Sequence, residues 1–296
     1  MMTREYFFCV AGFVFKISLP KDKNVEQLLP SFRPFRHEQD GEETVLFSLN
    51  VVPRILYDEE TSCVVEQTEN DMGQTILKRT SFGYRLELRY KDNAPMHVMH
   101  ADAQFTAVDA NVCWEDMYAG SALCSLIRIA YSQAILGHRA VSVHASAVTW
   151  QDKAFLFMGK SGTGKSTHTR LWREHIEGTK LLNDDSPIIR MVEGKAVAFG
   201  SPWSGKTPCY INDSAPIVGF LRLSQAPHNK IHRLSALSAI GALLPSCPPA
   251  FAHDDALQDH ICNTLSNMIA CTPAYHLECL PNAEAAQLSY STIYGK

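Results

Sequence analysis

The chain has 296 residues, 46% of them hydrophobic and 20% charged, the balance of a soluble globular protein with room for one large or two ordinary domains. A formal net charge of −4 and a pI near 6.3 leave no electrostatic footprint for nucleic acid. No apolar run approaches the ~20 residues of a membrane helix, so neither nucleic acid nor a membrane is expected as partner.

The N-terminal "MMTREYFFCVAGFVFK" has the outline of a signal peptide. However, Glu5 sits in the would-be basic region, Lys16 interrupts, and no small-residue cleavage site follows. A strand turning at Ala11-Gly12 into a second strand is expected instead. Up to about Val112, short runs rich in β-branched and aromatic residues ("ETVLFSLNVV", "GQTILKRTS", "YRLELRY") alternate with Gly, Asp and Asn. They predict an antiparallel, β-rich region over 1–112. In "HVMHAD" the positions of His97, His100 and Asp102 mix strand faces, so no metal site is expected there.

The pattern then changes. Residues 113–138 carry Met117, Ala122, Leu126, Ile129, Ala130 and Ala134 at helical spacing, with Gly137 as the stop. A strand over 140–150, a second over 153–158, a helix from about Lys165 to His175 and a strand over 179–185 follow. Further strands and turns lead to "APIVGFLRL", helix "SALSAIGALLP", a helix opening at the acidic 254–255 pair, strand "AYHLECL" and helix "NAEAAQLSYSTI". Alternating strands and helices predict an α/β layered domain over 113–296. The nine cysteines (Cys9, Cys63, Cys113, Cys124, Cys209, Cys247, Cys262, Cys271, Cys279) form no C-x-x-C pair, which fits free thiols in a reducing cytoplasm.

The chemistry is concentrated in "FLFMGKSGTGKSTHTRLW". Gly159-Lys160-Ser161-Gly162-Thr163-Gly164-Lys165-Ser166 matches the phosphate-loop pattern G-x-x-x-x-G-K-[ST] in full. The glycines let successive backbone N–H groups converge on one anion, and the helix that follows adds its positive end. Lys165 is expected on the outer phosphates of a nucleotide, and the Ser166 hydroxyl on Mg²⁺. Asp184 and Asp185 end the next strand, where one carboxylate can hold the metal and the other accept the proton of an attacking hydroxyl. In "VSVHASAV", Ser142, His144 and Ser146 alternate with Val141, Val143, Ala145 and Ala147. That gives the strand a polar face, from which His144 is expected to contact the transferring phosphate or the carboxylates. Trp203 and Lys206 in "GSPWSGKT" are candidates for a pocket wall and an anion contact, and Arg222 for charge stabilisation.

Taken together, His144, the loop "GKSGTGKS" and "NDD" at short spacing resemble the HPr kinase/phosphorylase catalytic domain and its relatives, whose fold is related to ATP-dependent phosphoenolpyruvate carboxykinase. The resemblance covers roughly residues 140–292 and rests on these three motifs. It implies a kinase using ATP and Mg²⁺. Gly159 to Ser166 and Thr167 would bind the nucleotide, Ser166 and Asp185 would hold the metal, Asp184 would be the catalytic base, and His144 and Lys165 would support it. Ser146, Trp203, Lys206 and Arg222 would contact substrate or phosphate. Thr167 stands where members acting on HPr usually carry Glu, and their long glycine-containing capture motif has no counterpart here. This points instead to relatives of a shortened kind, some associated with modified-peptide gene clusters. The expected acceptor is therefore a hydroxyl on a peptide, a protein or a small molecule, with the β-rich region a candidate for recognising it; the resembling family often assembles into homo-oligomers. A nucleotide-gated sensor that transfers nothing, and an ATP hydrolase, are the alternatives.

Overall fold

The computed structural model describes residues 2–39, 43–55, 62–70, 73–91, 93–249 and 251–294. The protein is mixed α/β, and its chain divides into two compact units, Met1–Ile135 with Ala250–Asp254 and Leu136–Pro249 with Asp255–Lys296. Among the described residues, each unit is built on a nine-stranded sheet. Among them, too, no helix is long and apolar enough to cross a membrane.

In the first unit, β1 (Thr3–Val10) and β2 (Phe13–Pro20) form the expected hairpin. Ala11 (φ 52°) and Gly12 (φ 77°) both take the left-handed conformation that a two-residue turn requires. Helix α1 (Val25–Leu28) and β3 (Arg36–His37) come next, then β4 (Val45–Val51), β5 (Cys63–Asn70), β6 (Gly73–Thr80), β7 (Gly83–Arg89), β8 (His97–Asp102) and β9 (Ala107–Asn111). The sheet order is β3-β1-β2-β4-β9-β8-β7-β6-β5. It is not purely antiparallel as predicted, because β4 runs parallel to both β2 and β9. The connection from β2 to β4 is long enough to return the chain to the same end of the sheet before the next strand starts. Phe8, Phe15, Phe32, Phe35 and Phe47 fill the core. In β8, His97 is fully buried and bonds Asp116 at 2.9 Å, a packing role.

Helix α2 (Ala119–Ala134) belongs to this unit. Tyr131 meets Phe15 edge-on with centroids 5.5 Å apart, and its hydroxyl donates to the Val10 carbonyl at 2.9 Å. The division of the chain therefore falls after Ile135, not near residue 112. The buried stripe of α2 contains Ala119, Ala122, Leu123, Leu126, Ile127 and Ala130. Met117, expected on it from the spacing, precedes the helix and is exposed, and Ile129 is only partly buried.

The second unit contains β10 (Ala140–Ser142), β11 (Ala145–Trp150), β12 (Lys153–Met158), α3 (Lys165–His175), β13 (Lys180–Asp185), β14 (Ile188–Val192), β15 (Lys195–Phe199), β16 (Ser214–Gln225), β17 (Lys230–Arg233), α4 (Ala236–Leu243), α5 (Asp255–Cys271), β18 (Ala274–Cys279) and α6 (Ala283–Tyr294). The strand order is β10-β14-β15-β16-β12-β11-β13, with β18 beside β16 and β17 beside β18. The twelve-residue β16 joins the two halves: its start pairs with β15, while the rest runs parallel to β12 and β18. Helices α3 and α6 cover one face. Their core of Val148, Phe155, Phe157, Leu171, Trp172, Leu221, Leu223, Leu277 and Ala286 excludes water.

Candidate active site

The loop between β12 and α3 is set by glycine. Gly159 sits at φ 155°, and a Cβ there would lie 2.6 Å from Thr163 Oγ1, so only glycine admits the tight return of the loop. Gly164 caps α3 at φ 101°, a left-handed conformation glycine adopts without strain, and as in any helix the amides of the first turn have no partner inside it. Lys165 is only 8% exposed, and its Nζ donates to the carbonyls of Gly159 (3.0 Å) and Lys160 (3.4 Å). Burial holds its ammonium below the ordinary lysine range, and Asp185 and Asp184 act against that shift. Lys160, Ser161, Gly162 and Ser166 reach the surface, whereas Gly159, Thr163, Gly164 and Thr167 are partly buried.

The acidic pair ends β13, two strands from β12, with β11 between them. Two interstrand spacings amount to about 10 Å, too far for β13 alone to reach the loop. Helix α3 closes that gap: Ser166 Oγ donates to Asp184 Oδ1 at 2.9 Å. The same oxygen accepts from Ser146 Oγ on β11, directly across in register, and Oδ2 accepts from the Thr207 amide at 3.3 Å. Asp184 is thus gripped from three sides and only 2% exposed.

Asp185 is the more open acid. Its carboxylate comes within 3.5 Å of His144 Nε2, and its side chain is 26% exposed. Its backbone is at φ 139°, a region that ordinary residues adopt at a cost of about 1–3 kcal/mol. A bridge to Ser204 and a hydrogen bond from Ser186 Oγ (2.8 Å) hold it there. The expected metal pair, Ser166 with Asp185, is therefore not the pair in contact; Ser166 meets Asp184.

His144 does not lie within a continuous strand. β10 pairs with β14 and β11 with β12 and β13, leaving Val143 and His144 as the break, where the His144 amide bonds the Ser246 carbonyl at 2.6 Å. The chain bends at His144, so Ser146 reaches Asp184 as expected while His144 stays accessible beside Asp185.

Residues 200–207 contribute more than the sequence suggested. Asn183, fully buried, donates to the Trp203 carbonyl (3.0 Å) and Ser201 Oγ (3.3 Å) and accepts from the Ser186 amide (2.9 Å). The Gly205 amide donates to the Asp184 carbonyl, and Ser204 Oγ donates to it at 3.2 Å. A Cβ on Gly205 would sit 2.9 Å from that carbonyl, so this close approach requires glycine. Trp203 is buried inside the loop rather than exposed as a pocket wall, and Lys206 is exposed. Arg222, in register with Met158 one strand from the loop, spends its Nη1 on the Ala242 carbonyl at the end of α4 (3.2 Å). Serines in a turn-like run carry no sequence signal for such partners; only "NDD" followed by a second glycine-bearing loop hinted at them.

The groups brought together here are the Lys165 ammonium, on the loop carbonyls, and the Ser146 and Ser166 hydroxyls, on the Asp184 carboxylate. Among the described residues no three His, Cys, Asp or Glu side chains form a cage. The Ser166 hydroxyl and the Asp184 carboxylate are the one or two protein oxygens that Mg²⁺ would take, with phosphate and water completing its shell.

No family model matches this chain, and no curated protein matches it. Among solved structures, the chain is similar to the Hpr(Ser) kinase/phosphatase from Coxiella burnetii, at 10% identity and a TM-score of 0.30 over 52% of this chain and 94% of that one.

Proposed function

We propose that the protein is a phosphotransferase of HPr-kinase-like fold that uses ATP and Mg²⁺ to phosphorylate a hydroxyl, such as a Ser or Thr, on a peptide, protein or small molecule. The observation that carries this is the 2.9 Å contact between Ser166, in the first turn after the phosphate loop, and Asp184, at the end of a strand two positions away. A hydroxyl and a carboxylate brought together from separate elements beside a phosphate loop form an oxygen pair suited to Mg²⁺. When bound, Mg²⁺ neutralises charge on the transferring phosphoryl group.

The residues then divide the work. Lys165 turns from the loop carbonyls to the outer phosphates, aided by the amides of the loop and the first turn of α3, apart from that of Thr163, which donates to the Lys160 carbonyl. Asp184, closed in by Ser146, Ser166 and the Thr207 amide, would hold the metal with Ser166. Asp185 is the better proton acceptor, because a base has to reach the hydroxyl and this side chain is the accessible one, with His144 orienting it. These roles reverse the order expected for Asp184 and Asp185. Lys206 stands near enough in sequence to the Thr207 contact to meet the acceptor or its phosphate, while Trp203 and Arg222 brace the frame.

The test is a separation of effects. Ser166→Ala and Asp184→Asn should raise the Mg²⁺ concentration for half-maximal turnover about tenfold or more, whereas Asp185→Asn should lower kcat by about 100-fold at saturating Mg²⁺. An Asp184→Asn protein with unchanged Mg²⁺ dependence would contradict the assignment.

A further inference from the structure

The acids lie on one side of the phosphate loop, and a cleft of about 640 Å³ lies on the other. Its walls are the loop with Thr167 and Leu171 of α3, and the ends of β16 and β18 with Gln225, Cys279, Leu280 and Pro281. Strand order puts β13 and its acids on one flank of β12, and β16 and β18 on the opposite flank. Helix α3 repeats this division. At about 100° per residue, Thr167 and Leu171 point about 100° and 140° away from Ser166, which faces Asp184.

We propose that this cleft is the nucleoside subsite of the donor, and that it holds the base by apolar contact with little choice between adenine and guanine. The inference rests on the phosphotransferase reading above. Phosphates seated in the loop have two exits; the acids occupy the one where the acceptor must enter, so the nucleoside leaves by the other. The cleft lies within the range of about 300–1,000 Å³ usual for small-molecule sites and is continuous with the loop. Leu280, a leucine still 36% exposed, and Pro281 present flat apolar surface to it.

The poor discrimination follows from the polar groups of the wall: most are engaged, and the Thr167 hydroxyl and the Gln225 amide can each donate or accept, so they serve adenine and guanine alike. Gln225 Nε2 donates to the Gly162 carbonyl at 3.1 Å, Thr163 Oγ1 to the Lys160 carbonyl at 2.8 Å, and buried His168 Nε2 bonds Ser289. The Leu280 amide is bound to Asn229 Oδ1 and the Ala226 amide to the Cys279 carbonyl. A pocket whose adaptable polar groups fit either base separates similar ligands weakly, whereas sites built on fixed base-edge hydrogen bonds reject the wrong ligand by orders of magnitude.

Cys279 supplies the probe. Burial holds its thiol above the ordinary range, so alkylation is run at alkaline pH, with exposed Cys63 and Cys271 as internal references. The rate at each cysteine is read by peptide mass spectrometry with no addition, with ATP, with GTP and with inorganic tripolyphosphate, and binding of each is measured by calorimetry. At ten times its Kd, either nucleotide should slow Cys279 alkylation by about tenfold, and tripolyphosphate should not. The two nucleotide affinities should agree within about tenfold. Leu280→Trp, at an exposed side chain on the cleft wall, should weaken ATP by at least about tenfold and leave tripolyphosphate unchanged. Tripolyphosphate and ATP protecting equally, or ATP binding without protection, would overturn the subsite and leave the phosphotransferase reading standing. A preference of ATP over GTP above about 100-fold would overturn the claim of weak discrimination. Failure of both ATP and tripolyphosphate to bind would remove the phosphotransferase reading, and the subsite with it.

Discussion

Acid should weaken the second unit through one histidine. His168 lies on α3 three residues after the phosphate-loop lysine, buried against Phe157 with ring centroids 4.7 Å apart. Ser289 Oγ spends its proton on the Ala286 carbonyl (2.9 Å), so it accepts from Trp172 Nε1 (2.8 Å) and from His168 Nε2–H (3.1 Å). Burial pushes His168 from 6.5 down to about 4. Because the folded value lies below the unfolded one, the unfolded chain takes the proton first. The contribution is whole above the ordinary value and is lost as pH falls toward the folded one. Linkage puts the loss at about 2 kcal/mol near pH 5 and about 3 kcal/mol near pH 4. His168→Gln keeps an N–H donor for Ser289 but does not titrate. Urea unfolding followed by tryptophan fluorescence, with Trp150 and Trp172 reporting on this core, should show wild type losing about 2 kcal/mol more than the variant between pH ~7.5 and ~5. Equal losses in the two proteins would refute the argument.

Two further outcomes follow from the site. Lys165→Met removes a charge whose burial is unfavourable in the fold; since the folded pKa is the lower one, that penalty is present at neutral pH and fades as pH rises through it. The melting temperature at neutral pH should hold or rise while calorimetric nucleotide binding is lost, and a fall of several degrees would contradict this. Gly205→Ala forces a Cβ to 2.9 Å from the Asp184 carbonyl and 3.2 Å from Asp185 Cβ, so the acids must shift. kcat should drop about 10- to 100-fold with KM for nucleotide little changed, as steady-state kinetics would show.

The glycine-loop part of the candidate site was legible because its signal is contiguous. An apolar run, a glycine turn and a helix start sit within one stretch of chain, and α3 begins and ends at the residues the periodicity predicts, Lys165 and His175. The strand end at Asp185 was legible for the same reason. Non-local pairing was not. Alternation in 140–150 continues through a break, so it cannot reveal that β10 and β11 join different neighbours. The residues that fix the acids, Ser201, Ser204, Gly205 and Thr207, read as an ordinary turn until the bridge from Asp185 to Ser204 brings them in. Helix α2 was visible as a helix, but Met117 and Ile129 suggested a stripe rotated away from the true one, and no local signal says which sheet a helix will cover.

Transfer itself is the central claim, and labelled phosphate tests it most directly. Purified protein is incubated with γ-labelled ATP, Mg²⁺ and size-fractionated extract of the source cells, beside Lys165→Ala and Asp185→Asn. The account predicts label on an acceptor with wild type and almost none with either variant. Label released only as inorganic phosphate regardless of extract would make the protein a hydrolase. Tight ATP binding with no label moved in any fraction would contradict the account and leave a nucleotide sensor.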